Sequence, residues 1–578
     1  MTQTTLETAA QPGQPAGLRE ETYDVIVLGS GVGGLTAALV AAIEGQRTLL
    51  IEKSPRVGGT SARSSGTVWI PNNSYLRRHG ITDDAHAVGR YLDALVGEKA
   101  PRVLRETFIT AGTEMLQYLE RHAGIHFRPY PSQPDYRQEL PGAAQGWRPL
   151  EPLPFDGRTL ARHFDDIGWP LPELMLFGGM MVTRGEVARL LKFRAFWDAV
   201  PLGVRLVTRY ARDRLRHRRG TRLVLGNALV ARLYKNLLGR NVAVRLGCSV
   251  TGLISRDERV CGVAAKQDGI EYRFTGRQGV VLAGGGFPAN HEWRRRFLPE
   301  PTPQYTTAFE GCTGDTIALA QRVGAALGPL GEDNGLWFPS SVATHADGSL
   351  AVYPHIVLDR AKPGLIAVNV QGRRFVNEAV SYHEFTRAMF RAHGRVPCIP
   401  TPLVCDRRFV WKYGLGMIRP RTPFLRPFIN RGYLETADTL GGLAAAIGVD
   451  PDGLAETIRA NNRNARSGTD HEFGKGENSY DRANGDPLHG PNPCLGQVKT
   501  PPFCAVVVHP TPLGTSLGLM TTPDGQVVDQ EGHPIPGLYA CGNDMHSPFG
   551  GEYPGAGAQL ALGMTFGYLA ARHAARNG

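Results

Sequence analysis

YDVIVLGSGVGGLTAALVAAIEGQRTLLIEK, Tyr23 to Lys53, decides the fold of this chain. Residues 23–28 form a short apolar run that predicts a strand, and Gly29-x-Gly31-x-x-Gly34 follows at once. An alanine-rich apolar helix then extends to about Glu44, and a second apolar strand ends on Glu52. Each part has a physical reason: Gly29 makes the turn, Gly31 lets the backbone approach a pyrophosphate, Gly34 lets helix and strand pack closely, and Glu52 can bind ribose hydroxyls. The stretch is a dinucleotide-binding βαβ unit. An acid at the ribose position disfavours NADP and leaves NAD and FAD open.

At 578 residues the chain is too long for one ordinary core, and 42% hydrophobic residues suffice to build two or more domains. Its 8 cysteines include no CxxC pair and no regular spacing, so no zinc site or disulfide framework is expected and a reducing compartment, the cytoplasm, is the default. The first 19 residues read as an unstructured tail; they have neither the basic n-region nor the apolar h-region of a secretory signal. No window approaches the ~20 apolar residues that span a bilayer. The net charge of +11 is concentrated between Arg189 and Arg240, where arginines interleave with Leu, Val, Phe and Trp. Solvated helix faces are the plain reading of that run. Contact with an anionic membrane surface is the main alternative, and nucleic acid is not expected.

Downstream of Glu52, KSPRVGGTSARSSGTVWIPNN (Lys53–Asn73) resembles the loop of the fumarate reductase and succinate dehydrogenase flavoprotein superfamily that runs along the FAD pyrophosphate. CSVTGLI (Cys248–Ile254), GVVLAGGGFPAN (Gly279–Asn290) and GLYACGND (Gly537–Asp544) match the same pattern. The resemblance implies FAD, held by Lys53, Gly59, Thr60, Ser61, Val250, Gly285, Gly542 and Asn543 together with the βαβ residues. No histidine lies between Lys53 and Arg77, so noncovalent attachment is expected. The order of these segments implies an α/β fold: a Rossmann-like FAD-binding domain over residues 20–298 and 499–578, and an inserted α+β substrate domain over 299–498 that caps the flavin. The hydrophilic run Asn461–Pro493 reads as a long loop before re-entry.

Near the C-terminus, GGEYPGAG (Gly550–Gly557) precedes a long apolar helix, whose exposed N–H groups can hold an anion or a developing oxyanion. Fumarate reductases clamp a dicarboxylate there with arginine and histidine; tyrosine and glycine fit a neutral carbonyl better. With that, the chain resembles the 3-ketosteroid Δ1-dehydrogenases over nearly its whole length. The family's Tyr-Pro-Gly-x-Gly turn is matched by Tyr553 to Gly557, its tyrosine after Phe-x-Asn-Glu by Tyr382, and its Asp-Tyr before Pro-Gly by Tyr136. Ser381 stands where the family often has proline, a change expected to affect loop stiffness.

Dehydrogenating a ketone beside its carbonyl removes a proton from the α-carbon and a hydride from the β-carbon, and charge builds on oxygen. Tyr553 and the Gly557 N–H would form the oxyanion site, Tyr382 would take the C2 proton while C1 gives hydride to flavin N5, and Tyr136 would support the incipient phenolate. Asn377 and Glu378 are expected to fix the loop or touch the cofactor. Alternatives are a flavin enzyme acting at C4–C5, an enone or fumarate-type reductase, and a non-catalytic flavoprotein docked on a membrane. No nicotinamide site remains once FAD is assigned, so a quinone or dye-like acceptor is expected to reoxidise the flavin.

Overall fold

Val25, Ile26, Val27 and Leu28 are all buried, because the strand that carries them, Arg19–Leu28, lies inside a sheet covered on both faces. The computed structural model describes residues 18–191, 196–345, 347–356 and 359–577. Residues 1–17 of the expected tail therefore lie outside the described residues, and Arg19 already opens the first strand. That strand runs parallel to Thr48–Glu52 on one side and to Ile270–Leu282 on the other. Among the described residues the sheet has eight strands. Gln526–Val528, Pro534–Ala540, Ile270–Leu282, Arg19–Leu28, Thr48–Glu52 and Ala243–Leu246 follow in spatial order, and Arg259–Gln267 and Ser249–Arg256 extend it as an antiparallel meander.

The helix Val32–Ile43 is buried along nearly its whole length, packed against the last helix, Ala558–Arg576, and against Leu225–Leu238. Two glycines make this tight layer feasible. Gly29 has φ 104° and a Cβ there would meet Ala283 O at 2.3 Å; a Cβ on Gly34 would sit 1.9 Å from Gly29 O. Both explanations given by the βαβ motif thus rest on backbone contacts.

A second, antiparallel sheet has six strands among the described residues. Leu350–Pro354, Gly335–Thr344, Phe503–Thr515, Thr401–Asp406 and Ile366–Ala367 follow in order, with Glu435–Ala437 pairing on Phe503–Thr515. Alternation along its central strands builds a core on each face. Leu403 and Cys405 meet Phe385, Met389 and Phe409 on one side, whereas Val404 meets Leu443, Leu454 and Ile458 on the other. The first of these cores fixes the helix Tyr382–His393 on the sheet.

The strand Phe503–Thr515 pairs within this second sheet. One expectation is corrected. The run Asn461–Pro493 is not one long loop: Asn461–Ser467 ends the helix Pro451–Ser467, and Ser479–Asn484 forms another. Low helix propensity is overridden by tertiary bonds, since Asn461 and Asn462 donate to Gly496 O at 3.0 Å and Val498 O at 2.9 Å.

The arginine-rich run also divides. Arg219 is buried, donates to Asn227 Oδ1 at 2.8 Å and Ile167 O at 3.1 Å, and stacks over Phe164; burial lowers its guanidinium to about 10. Arg222 pairs with Glu186 at 2.7 Å, and Arg232 donates to Leu153 O at 3.0 Å. These side chains are internal ties, while Arg205, Arg212, Arg214, Arg216 and Arg218 are exposed. No helix among the described residues is long and apolar enough to cross a membrane.

Candidate active site

One cavity of about 1910 Å³ runs from the glycine turn of the first sheet to the junction with the second. It exceeds the ~300–1,000 Å³ of a single small-ligand site and has room for two ligands end to end. Gly29, Gly31, Glu52, Lys53, Gly59, Thr60, Ser61, Val250, Gly285, Gly542 and Asn543 all line it. Gly34 does not, in keeping with its packing role.

At this end the loops are set by side chains that tie backbone to backbone. Glu52 accepts from the Ser30 N–H at 2.9 Å, the Ser30 hydroxyl at 2.6 Å and the Ser54 N–H at 2.9 Å, so its carboxylate braces the glycine turn as well as facing the cavity. Ser61 Oγ accepts from the Val32 N–H at 3.1 Å, and Thr60 Oγ1 from the Phe309 N–H at 2.9 Å. Lys53 is engaged by Asp315 and donates to Thr313 at 2.8 Å. Asp544, which sequence reasoning passed over inside its own quoted segment, accepts from the Gly284 N–H at 2.6 Å and the Gly286 N–H at 2.9 Å and shapes the triple-glycine loop. A Cβ on Gly31 would meet no backbone, only Ser61 Oγ at 3.5 Å. That glycine leaves room on the cavity side, which fits a dinucleotide pyrophosphate.

At the far end Tyr136, Tyr382 and Tyr553 come together, each only 6% exposed. The Tyr136 hydroxyl donates to the Tyr382 oxygen at 2.9 Å across 246 residues of sequence. The rings of Tyr136 and Tyr382 each lie 5.5 Å, centroid to centroid, from that of Tyr553. Tyr382 opens its helix, and Ser381 is the N-cap, accepting from the Glu384 N–H at 3.2 Å; serine here starts the helix by hydrogen bonding. Phe338 packs on the Tyr382 ring at 4.6 Å. Tyr136 is placed by its own N–H, which donates to Pro554 O at 3.0 Å, and by Asp135, which is held by Arg148 at 2.5 Å and Trp69 at 2.8 Å.

Gly557 caps the last helix at φ 93°, and a Cβ would collide with Thr67 O at 2.1 Å. Tyr553 and Gly557 line the same stretch of wall. Asn377 donates to Asp481 at 2.8 Å, and Glu378 pairs with Arg374 at 2.8 Å and Lys475 at 3.1 Å, so both fix the loop ahead of Tyr382. Burial would raise the Glu378 carboxyl, but those cations hold it at about 2.

Burial pushes the Tyr553 phenol up to about 12, against the hydrogen bond with Tyr382. The Tyr382 phenol is pushed well above its ordinary range, by burial first and then by the neighbouring phenols. A fourth tyrosine, Tyr480, packs on Tyr136 at 5.1 Å and also lines the cavity. Its only sequence signal was an aromatic residue in a polar run. Equally unseen in sequence was the apolar lining supplied by Leu171, Met175, Leu176, Met181, Val187 and Leu190 together with residues 415–418.

A family model described as FAD binding domain matches residues 24–560. The chain is 35% identical to the 3-oxosteroid 1-dehydrogenase of Mycobacterium tuberculosis over 96% of its own length and 98% of that protein. A crystal structure of the 3-ketosteroid Δ1-dehydrogenase from Sterolibacterium denitrificans in complex with 1,4-androstadiene-3,17-dione is 37% identical, with a TM-score of 0.90 over 96% of this chain and 100% of that one. The chain belongs to the 3-ketosteroid Δ1-dehydrogenase family. That family extends to other cyclic ketones: the 4-oxocyclohex-2-ene-1-carboxylate 5-dehydrogenase of Sinomonas cyclohexanicum is 33% identical, over 96% of this chain and 94% of its own. FAD is the family's cofactor, and the glycine-lined end of the cavity fits it.

Proposed function

We propose that this protein is an FAD-dependent 3-ketosteroid 1-dehydrogenase that introduces the C1–C2 double bond of its substrate. The observation that carries the reading is the buried cluster of Tyr136, Tyr382 and Tyr553 at the end of an apolar cavity. FAD, held noncovalently along the glycine turns, supplies hydride acceptance at N5 when bound. The Tyr553 hydroxyl and the Gly557 N–H at the helix N-terminus hold the carbonyl oxygen as charge develops on it. That polarisation acidifies C2, and Tyr382 takes the C2 proton. Tyr136, hydrogen-bonded to the Tyr382 oxygen, aims it at that proton. Burial of all three rings keeps water from competing for the proton.

The apolar lining supports a fused-ring substrate over a small keto acid. Three of the cations that line the cavity there are held by protein groups: Lys362 by Asn484 O and Gly485 O, each at 2.7 Å, Lys412 by Asp486 at 2.7 Å, and Arg419 by Met175 O at 2.6 Å. Anaerobic addition of a Δ4 3-ketosteroid should bleach the flavin and yield the 1,2-dehydro product, and 4-oxocyclohexanecarboxylate should do so far more slowly. A double bond at C4–C5, or faster reduction by the keto acid, would replace this reading.

For the partners we infer an anionic membrane surface and a quinone-type acceptor. Val200, Val204 and Val207, 42%, 56% and 44% exposed, share a helical face on Phe196–Arg214, whose exposed arginines complement anionic lipid. Cosedimentation with acidic vesicles should fall steeply with salt, because exposed charges are screened within about 8 Å at physiological ionic strength. No binding at low salt would leave the solvated face alone.

A further inference from the structure

Directly behind Tyr553 lies a buried ionic cluster that the mechanism above does not use. The Arg387 guanidinium, 5% exposed, pairs with Asp333 at 2.6 Å and with Glu552 at 2.8 Å, and donates to Gly551 O at 3.1 Å. Glu552, 3% exposed, also binds Lys99 at 2.5 Å. Asp333 accepts from the Trp337 indole at 3.2 Å. Three elements are joined here: the helix that begins with Tyr382, the strand whose Phe338 packs on Tyr382, and the turn that ends in Tyr553.

We propose that Arg387 and Glu552 are positioning residues that set the Tyr553 hydroxyl against Tyr382, so that oxyanion donor and base address one ketone together. Arg387 stands five residues after Tyr382 on the same helix, and Glu552 immediately precedes Tyr553. The Arg387–Glu552 bridge therefore links the helix of Tyr382 to the turn of Tyr553 through side chains. Gly550 and Gly551 both adopt positive φ, 56° and 88°, in a turn closed by the Gly550 N–H on Ser547 O and the Glu552 N–H on Phe549 O, each at 2.9 Å, and the bridge ties that turn to the helix of Tyr382. A planar, two-edged guanidinium grips a carboxylate and a carbonyl at once, which a lysine cannot reproduce. His383, buried against the Tyr553 ring at 5.7 Å, is held neutral by burial and by the Arg387 charge, so it is not a further cation for Glu552.

The inference rests on the dehydrogenase reading and is tested by a double-mutant cycle on the FAD-loaded enzyme. Glu552→Gln should lower the rate of flavin reduction by a Δ4 3-ketosteroid roughly 10–10²-fold, the usual cost of misplacing a reacting group by about an ångström. Substrate affinity should change less than about threefold. In a Tyr553→Phe background the same change should cost less than about threefold, because the hydroxyl it positions is gone. Arg387→Lys should show the same pattern at intermediate size, and it reports on the link should Glu552→Gln fail to fold. Equal losses in both backgrounds, or a loss confined to substrate affinity, would overturn the proposal. A wild-type enzyme whose flavin is not reduced by any 3-ketosteroid would instead defeat the reading beneath it.

Discussion

The two ends of the cavity are made of different material. The nucleotide end is backbone: glycine turns at Gly29–Gly34, Gly58–Gly59, Gly284–Gly286 and Gly542, braced by Glu52 and Asp544. The reacting end is chiefly side chain: Tyr136, Tyr382, Tyr553 and Tyr480, brought together from four separate segments. A backbone site needs only space and turn conformation, so it is local and motif-like. A side-chain site needs several rotamers aligned at once, and it exists only where the domains meet. The two ends should therefore fail separately.

The largest effect expected at the reacting end comes from Tyr382→Phe, which removes the proposed base. Flavin reduction should fall roughly 10²–10⁴-fold and exchange of the C2 hydrogen with solvent should disappear, while FAD content stays at the wild-type level. Exchange as fast as wild type would move the base elsewhere. Tyr553→Phe, which deletes one oxyanion donor, should cost roughly 10²–10³-fold with FAD again retained. Loss of FAD in either variant would break the separation of the two ends.

The pH profile sharpens the same contrast. As the proposed base Tyr382 acts as the phenolate, and its protonated form is favoured by burial and by two neighbouring phenols. Raising the pH should therefore raise the rate of flavin reduction, by up to about 100-fold between pH 7 and 9, with no plateau below about pH 10. A plateau near neutrality would mean that the phenol is lowered by its ligands or is not the base. FAD binding should be flat over that range, because the glycine turns carry no titrating group.

The smallest change is expected at the nucleotide end. Gly31→Ala adds a Cβ that meets only Ser61 Oγ, at 3.5 Å, and no protein backbone, so the fold should survive and FAD affinity should drop roughly tenfold. The rate of flavin reduction in the FAD-loaded fraction should match wild type. In the unaltered protein, acid or heat denaturation should release all the FAD into solution; flavin left on the precipitate would mean a covalent bond.

Tyr23–Lys53 determined the parallel sheet, its first helix and a dinucleotide ligand by itself, with NAD and FAD still open, because strand, glycine turn, helix and terminal acid lie within one contiguous stretch and their spacing is a local backbone property. The three tyrosines stand out in sequence through the family resemblance of their Tyr-Pro-Gly, Phe-x-Asn-Glu and Asp-Tyr surroundings. Tertiary structure alone decided that Tyr136 and Tyr382 touch, that Arg219 and Arg232 are interior ties within a run that reads as surface, and that Asn461–Ser467 is helical. It alone assembled the apolar lining, whose leucines and methionines carry no periodicity that tells a cavity wall from a core. Such outcomes depend on contacts between residues up to hundreds of positions apart, and their energies outweigh the local preferences that sequence patterns record.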